Sequence, residues 1–285
     1  MKKLLAALVL VSIFAFAPAK KAKKKIGKFV LIEAPEIQAD STIQQLEDFY
    51  IFNTEVTNLD YAEFLADLKK NNPEAYKIAL YDSLQWNRNG INYSETYVQN
   101  YHNHPAYKKY PVINISKQAA EMYCVWLAAR LKTGYLKDAD FEFEVRLPTK
   151  AEWQYAASEG FYSFLYPWGP QTLYDKKGMP RCTFNNMGAQ NIYKNNATGE
   201  FEARYAAGQK SIHPMAPMAS ESYEANGFDL YDVCGNVAEM ISDEDLALGG
   251  HWNSAGGDVQ IKSEMPYDGA PSSFVGFRPV LVIKG

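Results

Sequence analysis

Four short motifs in the second half of the chain constrain its fold more than any other feature. They are residues 146–153 (R-L-P-T-K-A-E-W), 166–169 (Y-P-W-G), 226–239 (N-G-F-D-L-Y-D-V-C-G-N-V-A-E) and 276–278 (G-F-R). The first contains a T-x-x-E capping box, Thr149 and Glu152, which predicts a helix that Gly160 ends. No Pro-, Ser- or Gly-rich linker divides the 285 residues. We therefore expect one α+β domain with many loops.

Helix caps and short apolar runs predict the elements of the first half. Ser116 is placed to cap a second helix, which Gly134 would end. The other predicted elements are a strand at 49–52, a helix that begins with Thr57 and Asp60 and stops at 71–73, and a strand at 141–147. Residues 82–110 are rich in Tyr and Asn and lack a clear period, so we expect an insertion or a functional loop there.

In their order along the chain, the four motifs resemble those of the sulfatase-modifying factor (formylglycine-generating enzyme) family. Three further segments agree with the family pattern. They are 52–65, with its E-V-T-N run, 110–126, with P-V and Y-C-x-W, and 249–252, which is G-G-H-W in place of G-G-S-[WY]. The resemblance covers roughly residues 45–285. It implies an irregular α+β fold related to C-type lectins.

The same resemblance shows which chemistry this chain lacks. Enzymes of the family bind copper through two cysteines just after the G-G-S-[WY] strand, and they oxidise a substrate cysteine with oxygen. Counted from G-G-H-W, the matching positions here fall at about Ser254 and Val259, and no cysteine follows Cys234. Cu(I) needs thiolates or similarly soft ligands, so neither copper nor formylglycine synthesis is expected. A metal-dependent oxidoreductase of altered chemistry in the same groove stays an alternative, as does a glycan binder.

One loop matches a calcium site of the family. Asp232 and Glu239 would supply side-chain oxygens, and Gly235 and Val237 would supply backbone carbonyls between them. Calcium prefers six or more oxygens, carboxylates and carbonyls together. Asp, Gly and Asn are also ordinary turn residues, so a plain turn is the alternative. The resemblance predicts a structural calcium ion.

Aromatic and histidine side chains form the predicted binding surface. It combines the Tyr-rich 82–110 segment with the groove near the G-G-H-W strand, because polar, aromatic loops on a rigid core suit recognition. The candidate contact residues are Tyr97, Tyr101, His102, His104, Tyr107, His251 and Trp252. The alternative is that these side chains only pack the loop.

A second resemblance lies within the family. Residues 97–112 resemble a segment of the gliding-motility lipoproteins of the type IX secretion system, which also read G-N-V-A-E around the position of Ala238. Those proteins are periplasmic structural components that assemble with partners below an outer membrane. The resemblance implies a cell-envelope protein partner. This chain departs from those proteins because it has no lipidation cysteine after its apolar N-terminal run.

The N-terminus has the pattern of an export signal. Residues 1–19 carry Lys2, Lys3 and a short apolar run, which predicts a signal peptide and a periplasmic or secreted protein, with an uncleaved anchor as the alternative. Residues 20–44 would be a basic tail and first strand region, and 45–285 the family domain. The tail lysines could contact an anionic membrane surface or stay solvated.

Composition excludes several functions. Removal of Lys2 and Lys3 would change the formal charge from −4 to −6, and an acidic body argues against nucleic-acid binding. The sequence has no Walker loop, no G-x-S-x-G and no H-E-x-x-H.

Three cysteines permit one disulfide in any of three pairings. The oligomeric state is left open.

Overall fold

A five-stranded antiparallel sheet lies at the centre of the fold. The computed structural model describes residues 25–35, 46–89, 94–161, 163–169, 172–185, 192–194, 197–199, 201–203 and 215–284. The strands are β1 (Lys25–Ile26), β2 (Phe29–Ile32), β3 (Phe49–Phe52), β4 (Glu142–Arg146) and β11 (Val280–Lys284), in the order β1-β2-β3-β11-β4. The C-terminal strand β11 thus lies between β3 and β4, which joins the two ends of the domain.

The sheet begins earlier in the chain than the boundary at residue 45 suggested. β2 pairs with β3 along its whole length, so residues 25–32 belong to the domain. Two lysines of the predicted tail are held there, Lys25 by Asp229 and Lys28 by Asp60. The predicted signal peptide lies outside the described residues.

In the part of the chain that the structure describes, five α-helices pack around the sheet. They are α1 (Asn58–Asn71), α2 (Pro73–Ala79), α3 (Ser94–Asn100), α4 (Lys117–Thr133) and α5 (Lys150–Ala157). The predicted caps are confirmed: Thr57 and Thr149 form capping boxes, and Ser116 caps α4. α5 ends three residues before the predicted stop at Gly160. No helix in the described part of the chain is long and apolar enough to cross a membrane.

The strands bury both of their faces. Phe29 and Leu281 pack in a core cluster with aromatic residues of α1 and α4. Their neighbours Val30 and Val280 pack in a second cluster with Trp153 of α5. Alternation with a period of two therefore places the sheet between two hydrophobic layers.

Residues 238–276 contain the four short strands of a second, smaller sheet, whereas β11 belongs to the first sheet. The strands of this second sheet are β7 (Ala238–Met240), β8 (Leu246–Leu248), β9 (Glu264–Pro266) and β10 (Val275–Gly276). Their order in the sheet is β10-β7-β8-β9, and β10 is parallel to β7. A separate hairpin joins β5 (Ile192–Lys194) to β6 (Phe201–Ala203).

The Tyr-rich segment is more helical than its sequence predicted. Its described part contains the 3-10 helix Ser83–Asn89, α3 and the 3-10 helix Pro105–Tyr107. Its aromatic residues pack in a small third cluster with Trp86, Val237 and Trp252. The helices are short, and the residues that bury them are distant in the sequence. No long apolar periodicity therefore predicts them.

Candidate functional site

A buried ion pair lies between the two sheets. Glu239, on β7, is 1% exposed, and Arg278, just before β11, is 0% exposed. Arg278 Nε contacts Glu239 Oε2 at 2.6 Å, and Nη2 contacts Oε1 at 2.6 Å. Nη1 also donates to the carbonyl of Phe52, and Nη2 also donates to the carbonyl of Tyr231. The G-N-V-A-E and G-F-R motifs therefore meet in one charged contact.

The helix motif joins the same network. Trp153 of α5 donates its indole N–H to Glu239 Oε2 at 2.7 Å. Arg146 makes two hydrogen bonds of 2.7 and 2.8 Å to Glu152, which also accepts the backbone N–H of Thr149 in the capping box. The R-L-P-T-K-A-E-W motif thus caps the start of α5 and connects this helix to Glu239.

The N-G-F-D motif finishes that helix. The amide of Asn226 donates to the carbonyls of Ala156 and Ala157 at 2.9 and 3.3 Å. These carbonyls belong to the last turn of α5, where helix carbonyls have no partner within the helix. Asn226 Oδ1 also accepts the backbone N–H of Phe228 and of Leu230.

Two further buried acids face the ion pair. Glu55 accepts a hydrogen bond of 2.9 Å from the Asn236 amide. Burial, reinforced by the Asp232 charge, raises the pKa of Glu55 well above its ordinary value. Burial also raises the pKa of Asp232 to about 6. For Arg278, burial opposes the charge, but Glu239, Glu55 and Asp232 outweigh it and raise the pKa.

The predicted calcium ligands lie on the loop from Asp232 to Glu239. Gly235 has φ +70°, and an added Cβ there would collide with the carbonyl oxygen of Thr183, so the tight turn requires glycine. Asp232 Oδ2 accepts the Glu221 N–H at 2.9 Å, and Glu239 already binds Arg278 and Trp153. Among the described residues, no group of three or more His, Cys, Asp or Glu is placed to hold a metal ion. Calcium binding through Asp232, Gly235, Val237 and Glu239 stays a prediction.

The positions that match the reactive cysteines are structural. Val259 is fully buried in the cluster that contains Trp153. Ser254 Oγ accepts the backbone N–H of His251 at 3.0 Å and is nearly buried. Neither side chain can act as a thiolate: Ser254 is bonded within its local turn, and Val259 packs in the core.

His251 is a neutral, stacked ring. It lies on Phe274 with ring centroids 4.3 Å apart, and burial lowers its pKa to about 4. Its Nδ1 accepts the Asn253 N–H at 3.2 Å, which leaves the ring proton on Nε2. His251 is therefore packed as a structural residue.

All three cysteines are buried. Burial raises the pKa of Cys182 to about 12 and raises the thiol pKa of Cys124 and Cys234 as well. The thiolate is the form that binds metal or attacks a substrate. These side chains thus have neither the access nor the ionisation that cysteine catalysis needs.

The predicted contact residues separate into two groups. Tyr101 is 0% exposed and donates its hydroxyl to the Pro111 carbonyl, and Trp252 is 2% exposed and donates to the Ser273 carbonyl. Burial prevents both from touching a partner, so their role is to support the segment. The contact prediction narrows to the residues that retain exposure: His104 is exposed, and Tyr97, His102, Tyr107 and His251 are half-buried. His102 lines a cavity on the other side of the segment.

Three large aliphatic side chains near the start of this segment are exposed, and no sequence pattern predicted them. Ile78, Leu80 and Leu84 are 49%, 39% and 62% exposed. They lie within seven residues of each other where α2 leads into the Tyr-rich segment. Large exposed aliphatic side chains that occur close together are typical of interaction surfaces. Helical spacing did not reveal them, because the chain leaves α2 at Ala79.

The buried network and the two-sheet architecture define an irregular α+β fold that sulfatase-modifying factor proteins share. A family profile described as "Sulfatase-modifying factor enzyme 1-like domain" matches residues 16–283. The chain belongs to this family.

Individual relatives agree with that assignment. The formylglycine-generating enzyme of Mus musculus is 29% identical over 134 residues, 47% of this chain and 27% of that protein. The inactive C-alpha-formylglycine-generating enzyme 2 of Bos taurus is 25% identical over 139 residues, 48% of this chain and 34% of that protein. The chain thus matches about a third or less of these relatives' length. The crystal structure of CarF shares the fold, with a TM-score of 0.54 and 18% identity over 90% of this chain and 98% of that one.

Proposed function

We propose that this protein is a non-catalytic member of the family that binds another protein in the cell envelope. The observation that carries the proposal is the loss of both reactive thiols while the scaffold is kept. Ser254 and Val259 replace them, and Val259 is part of the core. Relatives described as inactive exist in the same family, which supports a function without the oxidation chemistry.

The binding surface would combine the apolar patch, defined as Ile78, Leu80 and Leu84, with the exposed part of the Tyr-rich segment. Aliphatic and tyrosine side chains together supply an apolar centre and a polar rim, as protein interfaces do. Trp86 and Tyr101, two side chains of the segment itself, are fully buried. This packing gives the surface a rigid base and lowers the entropy cost of binding.

The resemblance of residues 97–112 to gliding-motility lipoproteins supports a periplasmic place of action. A component of this kind would assemble with envelope proteins related to gliding or type IX secretion. The predicted signal peptide and the basic N-terminal tail fit export and contact with an anionic membrane surface. Calcium on the Asp232–Glu239 loop would act structurally.

The test is capture of partners from the native envelope with the tagged full-length protein. Leu84→Asp places a charge on the apolar patch. Val125→Asp, at an exposed position on α4, is the matched control. We expect one stoichiometric protein with the wild type and Val125→Asp, and its loss with Leu84→Asp. Equal capture by all three proteins, or no partner at all, would contradict the proposed surface.

A further inference from the structure

A cleft of about 1140 Å³ is lined by residues of two segments, 167–181 and 222–231, and by Glu159. Its walls include the half-buried rings of Trp168, Tyr223 and Tyr231. Sites for small ligands usually have volumes of about 300–1,000 Å³, so this cleft has room for several linked groups of a ligand. It shares no lining residue with the apolar patch and is a separate surface.

The guanidinium of Arg181 is held against one wall of the cleft. It lies over the ring of Trp168, 4.8 Å from the ring centroid. Trp168 in turn stacks on Tyr166, with ring centroids 5.3 Å apart and an angle of 5° between the planes. The backbone N–H of Arg181 donates to the Leu173 carbonyl at 2.9 Å. Stacking on a ring fixes the plane of a guanidinium and leaves the N–H groups at its edge available.

These N–H groups are not used by the fold. Among the described residues, the Arg181 side chain makes no hydrogen bond, and its ion-pair partner Glu224 lies 3.8 Å from Nη2. That separation is too long for a hydrogen bond. The Glu224 side chain is 93% exposed, and such exposed pairs contribute little to stability. Nη2 faces Glu224, which also lines the cleft, and 26% of the Arg181 side chain is exposed. A ligand in the cleft can therefore reach the guanidinium.

The charges around the cleft select a ligand with one negative charge. Its described lining residues include two bases and three acids, which are Lys176, Arg181, Glu159, Asp175 and Glu224. A phosphate group carries nearly two negative charges at neutral pH, so the three acids would oppose it. A carboxylate carries one, and its two oxygens match the paired N–H groups of a guanidinium. The aromatic walls favour a flat or apolar group beside that carboxylate.

We propose that this cleft binds a terminal carboxylate that is carried by an apolar or aromatic group, with Arg181 as the bidentate partner. Trp168 orients the guanidinium, and the rings of Tyr223 and Tyr231 contact the apolar group. The ligand carboxylate displaces Glu224 from its loose contact with Nη2. The C-terminus of a peptide and a free aromatic acid share this chemistry. The proposal does not rest on the apolar patch or on the proposed function.

The experiment compares three probes: acetyl-Gly-Ser-Phe with a free carboxylate, the same peptide as its C-terminal amide, and acetyl-phenylalanine. Binding to the full-length protein is followed by calorimetry and by NMR of the arginine Nε–H groups. We expect saturable binding of the free peptide acid, a shift of the Arg181 resonance, and about tenfold weaker binding of the amide. Tighter binding of the peptide acid than of acetyl-phenylalanine identifies a peptide terminus as the source of the carboxylate. Equal binding identifies a small aromatic acid.

Two variants should change the affinity in opposite directions. Glu224→Gln removes a competing carboxylate, so it should bind the peptide acid about twofold to fivefold more tightly. Arg181→Lys keeps the charge but loses the paired N–H groups, so it should reduce the preference for the acid over the amide. Arg130→Lys is the matched control and should bind as the wild type does, because Arg130 also lies over a tryptophan, Trp126, but outside this cleft.

Three results would overturn the proposal: no saturable binding, equal affinity for the acid and the amide, or no gain in affinity in Glu224→Gln. An arginine with only a structural role would produce the second and third of these. If Arg181→Lys does not fold, the comparison of the two peptides and the exposed substitution Glu224→Gln still decide.

Discussion

The carboxylate of Glu239 and the guanidinium of Arg278 meet at two contacts of 2.6 Å in a fully buried site. The two residues lie 39 positions apart, in two of the motifs that mark the family. Trp153, from a third motif, donates to the same carboxylate. The shared motifs thus hold the helix and both sheets together, which explains how the fold persists without its catalytic cysteines.

Glu239→Gln should be strongly destabilising. The substitution keeps the shape of the side chain but leaves the charge of Arg278 without its nearest counter-ion, and breaking a buried pair in this way costs about 3–5 kcal/mol. Denaturant unfolding measures the change. Glu142→Gln, in the solvent-exposed pair with Lys132, is the control and should cost at most about 1 kcal/mol. Similar small losses in both variants would show that the buried pair does not hold the scaffold.

The half-buried histidine His102 predicts a pH dependence of stability. Its pKa is lowered from 6.5 to about 3 in the fold, so the folded state favours the neutral ring. Its contribution is complete above pH 6.5 and is lost as the pH falls from 6.5 toward 3. The free energy of unfolding of the wild type, relative to His102→Phe, should decrease by up to about 1.4 kcal/mol per pH unit in that window. A difference that stays constant from pH 7 to pH 4 would rule out a neutral His102 ring.

Calcium should stabilise the protein if the loop from Asp232 to Glu239 binds it. A ligand that binds only the folded state adds about 2.7 kcal/mol at a concentration about 100 times its Kd. Thermal unfolding with calcium, and with magnesium as the control, after removal of metals by a chelator measures this. Asp232→Asn should remove the calcium effect. An identical Tm with and without calcium would refute the predicted site.

The cysteines predict a single disulfide pairing. Cys182 and Cys234 border the same small cavity and belong to one core cluster, whereas Cys124 lies in the other cluster. Any disulfide that forms should therefore join Cys182 and Cys234. Alkylation in denaturant without reductant, followed by peptide mapping, should always find the label on Cys124. A bridged Cys124 would show that this packing is incorrect.

Local signals were predictable from the sequence. Thr57 with Asp60 and Thr149 with Glu152 form capping boxes within four residues, so neighbouring residues determine where α1 and α5 begin. The strand at 49–52 is a short apolar run, so neighbouring residues determine this element as well. The family resemblance supplied the fold, since no local pattern shows that β11 pairs between β3 and β4.

Long-range contacts were not predictable in this way. Asn58 and His102 lie 44 residues apart, and nothing in either segment shows that one fixes the tautomer of the other. Tyr101 and Trp252 looked suitable for a binding surface, because aromatic residues in loops are common there. Burial is decided by tertiary packing, and in this fold both pack inside with Trp86.

The most direct test of the central claim is an assay for formylglycine synthesis. The purified protein is incubated with copper(I), oxygen and a peptide that carries the substrate cysteine of a sulfatase, and an active family enzyme serves as the positive control. Mass spectrometry then reports the state of the cysteine. We expect an unmodified peptide, since Ser254 and Val259 cannot bind copper as thiolates. Formylglycine at that cysteine would contradict it.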